Sequence, residues 1–149
     1  MRYLGLDLGT KTLGVSVSDT TLTIASSLKI IRFSDSNYDA AYGDLKKIID
    51  EYEIGKIILG LPKNMNNTIG ERGEIALKFK EKLIEWFGIT VIMQDERLST
   101  VEATNYLLEA DMSRKKRKKN IDKIAANIIL QTYLDKRKDW DYERWNYDI

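Results

Sequence analysis

The sequence predicts an α/β protein with a mixed sheet, and three observations support this. Three short apolar segments near the amino terminus are separated only by turns, which is typical of an antiparallel meander. After them, helical and strand periodicities alternate, which indicates parallel strands joined by helices. The 149 residues contain no internal repeat and no linker rich in proline or serine, so their length favours a single domain.

The first three segments each have the features of a strand. Arg2 to Leu8 is apolar on both faces. In LGVSVSD, residues 13–19, valines alternate with Ser16 and Ser18, which predicts a second strand with one exposed face. IASSLKIIRF, residues 24–33, predicts the third strand.

The remaining elements follow from changes in period. Apolar residues recur at helical spacing from Tyr38 to Tyr52, and a short apolar run then ends at Pro62, the only proline. Three helices and a strand are predicted after it: a helix from about Gly73, the strand ITVIMQDE (89–96), a helix capped by Ser99 with Glu102 three residues later, and a final helix from Ile121 to Leu134. Ala125 and Ala126 are small enough to let that last helix pack closely on the sheet.

The composition excludes several kinds of chemistry. There is no cysteine and no histidine, so thiol nucleophiles, disulfides, zinc fingers and imidazole bases are excluded. A catalytic metal must therefore be held by oxygen ligands, which favours Mg²⁺ or Mn²⁺. Acid–base chemistry falls to carboxylates, lysine, tyrosine or water bound to a metal.

Acids from three distant segments are candidates for one site. Asp7 interrupts the first apolar strand, Asp95 and Glu96 end the last one, and Asp122 opens the final helix. In α/β sheets, sites form at the carboxyl ends of the strands, so these acids are expected to converge. Converging carboxylates repel unless cations lie between them, and one or two Mg²⁺ ions in such a site cleave phosphodiesters.

The charge is clustered although the net charge is only +1. A run of six cations follows Ser113 and is typical of either a patch that binds nucleic acid or a solvated loop. These cations are Arg114, Lys115, Lys116, Arg117, Lys118 and Lys119.

Three sequence blocks together resemble the YqgF/RuvX family, nucleases related to Holliday-junction resolvases of the RNase H-like superfamily. The blocks are LGLDLGTKTLGVSVSD, ILGLPKNMNNTIGERG and DERLSTVEATNYLLEADMSRKKRKKNIDKIAANIILQTYLD, in the family's order. The resemblance implies an RNase H-like fold with a mixed five-stranded sheet, three antiparallel strands followed by two parallel ones. It covers residues 1–136 as a nuclease domain and leaves residues 137–149 as a charged, aromatic tail.

The resemblance also implies an activity and the residues that carry it. It implies divalent-metal cleavage of phosphodiesters, with Asp7, Glu96 and Asp122 as catalytic and metal-binding acids. Glu96 is preferred to Asp95 because adjacent strand residues point to opposite faces and the family pattern selects it. The implied task is processing of the 5′ end of the 16S ribosomal RNA precursor, with branched DNA as the alternative substrate.

Contacts with nucleic acid are expected outside the acids as well. Lys11 follows the glycine turn after the first strand, Asn64 lies in a polar loop, and Arg97 either contacts a phosphate or pairs with Asp95. With the resemblance, the cations at 114–119 are expected to bind the nucleic-acid backbone without reading sequence. One departure from the family is clear, since its loop sequence Asn-Met-Asp-Gly is replaced here by Asn-Met-Asn-Asn at residues 64–67.

Two other hypotheses of function are compatible with the sequence. DLGTKTLGV is similar to the first phosphate loop of actin-like and Hsp70-like ATPases, which need two such domains, whereas this chain has room for one. Alternatively, the chain is a non-catalytic RNA-binding factor of ribosome assembly that uses only its basic segment. Substitution of Asp7 by asparagine separates the readings, because only a nuclease loses cleavage while binding persists.

The sequence also allows predictions of the cellular location and the oligomeric state. No apolar run is long enough to span a membrane and the start lacks the pattern of a signal peptide, so a cytoplasmic protein without membrane contact is expected. A single subunit suits RNA trimming, with an RNA precursor preferred to branched DNA. A homodimer suits a four-way junction, which presents two equivalent strands.

Overall fold

The computed structural model describes residues 1–62, 68–95 and 124–137 of the chain. Its elements alternate as the sequence predicts, with three strands first and helices between the later strands. In chain order they are β1 (Arg2–Leu8), β2 (Thr12–Ser18), β3 (Ala25–Arg32), a 3₁₀ turn (Tyr38–Ala41), α1 (Tyr42–Glu51), β4 (Ile54–Leu61), α2 (Glu71–Phe87), β5 (Thr90–Asp95) and α3, described over residues 124–137.

The strands form one mixed five-stranded sheet in the order β3-β2-β1-β4-β5. β1, β2 and β3 pair antiparallel, while β4 pairs parallel to both β1 and β5. The predicted sheet, three antiparallel strands followed by two parallel ones, is therefore confirmed. β1 lies at its centre, so the residues of β1 have neighbouring strands on both sides.

Helices cover the two faces of the sheet, and the alternation of strand residues divides the core between them. Leu4, Leu6 and Leu8 of β1 pack in the cluster that α1 and α2 complete, and we call this side the α1/α2 face. Tyr3 packs with Ile129, Leu130 and other residues of α3, on what we call the α3 face. Both faces of β1 are buried because each has its own helical layer.

Burial by α3 corrects one prediction for β2. Ser16 and Ser18 were expected on an exposed face, but they are only 0% and 1% exposed. The Ser16 hydroxyl donates to the Ala126 carbonyl oxygen of α3 at 2.8 Å, and the Tyr3 N–H donates to the Ser18 hydroxyl at 2.8 Å. Polar alternation predicts exposure only where nothing covers the polar face; here α3 covers it and hydrogen bonds satisfy both hydroxyls.

Element boundaries differ from the prediction by a few residues. The helical pattern from Tyr38 begins as a 3₁₀ turn before α1, β4 begins at Ile54, and α2 begins at Glu71. The helix predicted after Ser99 and the start of the final helix lie outside the described residues. α2 ends at Gly88, whose φ of +64° is the left-handed conformation that commonly closes a helix.

Candidate functional site

Asp7 lies on the α3 face of the central strand, near its carboxyl end. It alternates with Tyr3 and Gly5, the β1 residues that face α3, and its side chain is half-buried. The residue opposite it on β2 is Gly14. A carboxylate is therefore placed at the centre of the sheet beside a residue that has no side chain.

The other neighbours of Asp7 on this face are also small or polar. Because Leu6 pairs with Leu59, Gly60 is the β4 residue level with Asp7, and Gly60 itself pairs with Gln94 of β5. Gln94 is buried, at 7% exposed. From β2 to β5 the row thus contains two glycines, one acid and one amide, and Ile30 of β3 completes it beside Gly14. The residues next to Asp7 leave space for a ligand that binds oxygen atoms.

Asp95 lies on the other face of the sheet. β5 places Val91 and Met93 in the cluster of the α1/α2 face and Ile92 in that of the α3 face. Asp95 shares the parity of Val91 and Met93, and it pairs with Leu61 of β4. The described end of β5 therefore directs Asp95 away from the face that carries Asp7.

α3 crosses β1 at close range and in the opposite direction. A Cβ on Gly5 would lie 2.9 Å from the Ala126 carbonyl oxygen and 2.7 Å from the Leu130 Cβ. Further along α3, the Tyr133 ring packs 6.2 Å from that of Tyr3. Ala126 is 1% exposed, so the prediction that it permits close packing is confirmed, and the amino end of α3 is the end nearer Asp7.

Lys11 is held by a tight turn at the same end of the sheet. The Gly9 N–H donates to the Thr12 carbonyl at 2.8 Å, which closes the hairpin between β1 and β2. The Lys11 carbonyl accepts from the Phe33 N–H at 3.0 Å, which ties the turn to the end of β3. The side chain of Lys11 is exposed, so its ammonium group is available to an anion from solvent.

Arg72 is a further cation at this end of the sheet and is not among the residues predicted from the sequence. It lies in the first turn of α2, is half-buried, and donates an N–H to the Leu8 carbonyl at 3.0 Å. The signal that could have found it is its position in TIGERG, directly after the polar loop that follows β4. Small residues on one face of β1 and β2, such as Gly5 and Ser16, could likewise have predicted the close approach of α3.

Most of the other predicted site residues lie outside the described residues. Within the described ranges, no group of three or more acidic side chains could hold a metal ion, and Asp7 is the one described member of the predicted acid set. The predicted residues outside those ranges are Asn64, Glu96, Arg97, Asp122 and the six cations at 114–119.

Comparison with known protein families gives a match over residues 1–136, to the family described as "RuvX: Holliday junction resolvase". The chain belongs to the RuvX family. The resemblance found in the three sequence blocks is thereby confirmed.

Relatives of similar length support this membership. A protein of Oceanobacillus iheyensis is 53% identical over 137 residues, which covers 92% of this chain and 100% of the relative. One of Thermoanaerobacter pseudethanolicus is 53% identical over 140 residues, covering 93% and 99%. Both carry the provisional name pre-16S rRNA nuclease. Together with the family match, they support a nuclease.

Solved structures confirm the RNase H-like fold. RuvC of Thermus thermophilus, in a complex with a Holliday junction substrate, matches 93% of this chain and 96% of its own, with a TM-score of 0.56 at 13% identity. The fowlpox virus Holliday junction resolvase matches 91% and 99%, with a TM-score of 0.52 at 16% identity. Among the described helices of this RuvX member, none is both long and apolar enough to cross a lipid bilayer.

Proposed function

We propose that this chain is a divalent-metal-dependent nuclease that processes the 5′ end of the 16S ribosomal RNA precursor in the cytoplasm. Asp7, Glu96 and Asp122 would hold Mg²⁺ or Mn²⁺, as one or two ions. The names of relatives at 53% identity over nearly the whole chain support the substrate. The position of Asp7 supports the chemistry.

The observation that carries the proposal is the course of α3 across β1. Tyr133 of the helix packs on Tyr3 of β1, and Ala126, nearer the amino end of the helix, packs on Gly5. The amino end of the helix is therefore directed towards Asp7. Asp7 lies two residues beyond Gly5, about 6.6 Å along a strand. Four helical residues measure about 6 Å, and the final helix predicted from the sequence would place Asp122 that far before Ala126. The matching distances favour Asp122 as a partner of Asp7.

The described part of β5 supports Glu96 as the third acid. Asp95 lies on the α1/α2 face, so it is not suited to share a ligand with Asp7. If the strand is extended by one residue past Asp95, as the sequence predicts, that residue takes the parity of the face that carries Asp7. Glu96 is therefore the acid of this pair that we assign to the site.

The residues present fit a hard divalent cation. A chain without histidine or cysteine offers oxygen ligands only, and Asp7 supplies one carboxylate beside Gly14. When bound, the metal supplies activation of the attacking water and stabilisation of charge on the phosphodiester. Asp7 contributes a rigid ligand because its strand is paired on both sides. Lys11 offers a positive charge to the nucleic-acid backbone, as do the cations at 114–119.

Branched DNA is the second candidate substrate, and the description of the matched family as a Holliday junction resolvase favours it. Cleavage of a four-way junction requires two sites acting on two strands, so it calls for a homodimer. RNA trimming needs one site. The same acids serve both substrates, so the choice between them is experimental.

The test is a cleavage assay with Mg²⁺ or Mn²⁺ in which a 5′-extended 16S precursor and a four-way DNA junction are offered side by side. We expect the wild-type protein to cut the RNA and the Asp7→Asn variant to bind it without cutting. Cleavage of the junction alone would transfer the assignment to branched DNA. Equal binding without cleavage of either substrate, by both proteins, would favour the non-catalytic RNA-binding factor.

A further inference from the structure

Arg72 places a guanidinium group at the end of the strand that carries Asp7. Its N–H donates to the carbonyl of Leu8 at 3.0 Å, and Leu8 is both the last residue of β1 and the residue after Asp7. The side chain is half-buried. A fixed positive charge therefore lies at the carboxyl edge of the sheet, where the proposed substrate would approach.

Packing of the first turn of α2 holds Arg72 in this position. The next residue, Gly73, is buried, and a Cβ there would lie 2.8 Å from the Pro62 carbonyl oxygen and 2.6 Å from the Ile69 Cγ2. Pro62 directly follows β4. The turn that carries Arg72 is thus in contact with the ends of both β4 and β1, which limits where the guanidinium can move.

The hydrogen bond to the Leu8 carbonyl uses only some of the N–H donors of the Arg72 guanidinium group. Arginine carries five N–H donors in a planar fork that fits two oxygens of a phosphate. Ion pairs join Lys29 to Asp44 and Lys82 to Asp39 among the described residues, and neither involves Arg72. Hydrogen bonding to a neutral carbonyl orients the fork and leaves its charge for an anion.

We propose that Arg72, which reaches the end of β1 from the α1/α2 face, binds a backbone phosphate of the nucleic acid at the carboxyl edge of the sheet. The inference rests on the proposed function because it assumes a nucleic-acid substrate. It adds a residue that holds a phosphate at the carboxyl edge of the sheet and gives the hydrogen bond to Leu8 a role in orienting that residue. Arg72 is thus a substrate-binding residue supplied by α2, in addition to the exposed cations of the loops.

The test uses substitutions that separate the hydrogen bond from the charge. In Arg72→Gln the side-chain amide can still donate to the Leu8 carbonyl, but the charge is gone. In Arg72→Lys the charge remains without the planar fork. Affinity for a fluorescent 5′-extended 16S precursor is measured in EDTA, so that metal-dependent cleavage cannot proceed, over a series of KCl concentrations.

We expect Arg72→Gln to weaken binding about tenfold, the usual effect of losing a hydrogen bond to a charged group. The slope of log K against log salt should fall by about 0.7–0.9, the value for one phosphate contact. Arg72→Lys should keep the slope of the wild-type protein and lose about threefold in affinity, since a point charge replaces a bidentate contact. Lys78→Met is the matched control, because it removes an exposed charge from the same helix and should change neither quantity.

An unchanged slope and affinity in a folded Arg72→Gln variant would overturn the inference and leave Arg72 as a structural residue. If that variant does not fold, Arg72→Lys decides, and wild-type affinity in it would overturn the inference. Failure of the proposed function looks different. The wild-type protein would then not cleave with Mg²⁺ or Mn²⁺, while the loss of slope in Arg72→Gln would still establish the phosphate contact.

Discussion

Asp7 and Asp95 lie on opposite faces of the same sheet, and the face on which an acid lies limits which other acids can share a ligand with it. Both lie near the carboxyl ends of strands in the same sheet, but Asp7 has the parity of Gly5 and faces α3, whereas Asp95 has the parity of Met93. Nearness along the sheet is therefore not enough for two carboxylates to act together. The preference for Glu96 over Asp95 follows from the same alternation.

Asp19 carries the clearest pH dependence of the described residues. The Thr21 hydroxyl and the backbone N–H groups of Thr23 and Ile24 donate to its carboxylate and lower its pKa from 3.8 to about 2. A carboxyl group whose pKa is lower in the folded state stabilises the protein above its unfolded pKa, and the effect is lost as the pH falls. We expect this contribution to be complete above about pH 4 and to disappear towards pH 2.

The measurement is an NMR titration of the Asp19 carboxyl carbon, combined with urea unfolding above about pH 4 and near pH 2. In the titration the midpoint should lie at about 2. The Asp19→Asn variant should lose less stability than the wild-type protein between the two pH values. A midpoint at 3.8, or an equal loss in both proteins, would show that these hydrogen bonds do not act on the carboxylate.

At the residue scale the sequence predicted side chains well where one neighbouring strand determines their surroundings, and less well where a distant helix does. The position of Asp7 at the end of a buried strand follows from the apolar residues around it. The burial of Ser16 depends on Ala126, which is 110 residues away in sequence. Arg72 was missed for the same reason, since its partner Leu8 belongs to another element.

At the scale of elements, we expect the contact between α3 and β1 to position the proposed site. The small residues Gly5 and Ala126 let the helix approach the strand closely. Ser16 is 0% exposed, so a larger side chain at that position would not fit between the strand and the helix. The direction of α3 leads its amino end towards Asp7. A change at Gly5 should therefore disturb both the fold and the proposed site.

We expect Gly5→Ala to lower the free energy of unfolding by about 1–3 kcal/mol, the usual range for overpacking a core. A Cβ there would lie 2.3 Å from the Ser16 Oγ and 2.9 Å from the Ala126 carbonyl oxygen. Gly43→Ala is the matched control, since it lies in α1 and a Cβ there would meet no atom of the described residues within 4 Å outside its own helix. That control should raise stability by about 0.4–1 kcal/mol.

Urea unfolding of the two variants measures both effects. Equal stability of Gly5→Ala and the wild-type protein would mean that α3 can move away from β1 without loss. The close contact between α3 and β1 would then not be what directs the amino end of α3 towards Asp7.

Strands and helices were predicted well because their apolar residues recur with different periods, about two in a strand and 3.6 in a helix. The strands of the meander and the amphipathic pattern of α1 and α2 are local properties of the chain, and all five strands were predicted within a few residues. The ends of elements were less accurate, because caps and tight turns depend on a few backbone contacts. The 3₁₀ turn before α1 is an example: its residues 38–41 continue the helical spacing but are wound more tightly.

At the scale of the whole molecule, the net charge of +1 hides an uneven distribution. The six cations at 114–119 are consecutive in the sequence, and we propose that they bind the nucleic-acid backbone. Replacing Lys115, Arg117 and Lys119 by glutamine should reduce the slope of log K against log salt by about 2–3, at about 0.7–0.9 for each phosphate contact. The rate at which bound substrate is cleaved should change little, because such contacts position the substrate.

Binding of the 16S precursor fragment at several KCl concentrations measures the slope, and single-turnover cleavage measures the rate. Substitution of Lys46, Lys47 and Lys78 by glutamine removes the same charge from α1 and α2 and serves as the control. An equal reduction in both triple variants would show that only the total charge matters. An unchanged slope in the first would make the basic segment a solvated loop.

The most direct test of the central claim is Mn²⁺ binding by electron paramagnetic resonance, because it observes the metal and its ligands without requiring the right substrate. The proteins compared are the wild type, Asp7→Asn, Glu96→Gln, Asp122→Asn and, as control, Asp95→Asn. We predict one or two bound ions in the wild type and the control, with affinity at least tenfold weaker, on the order of a lost ligand, in each of the other three. Wild-type affinity in Asp7→Asn, or a loss in Asp95→Asn equal to that in Glu96→Gln, would contradict a metal site built on the α3 face of the sheet.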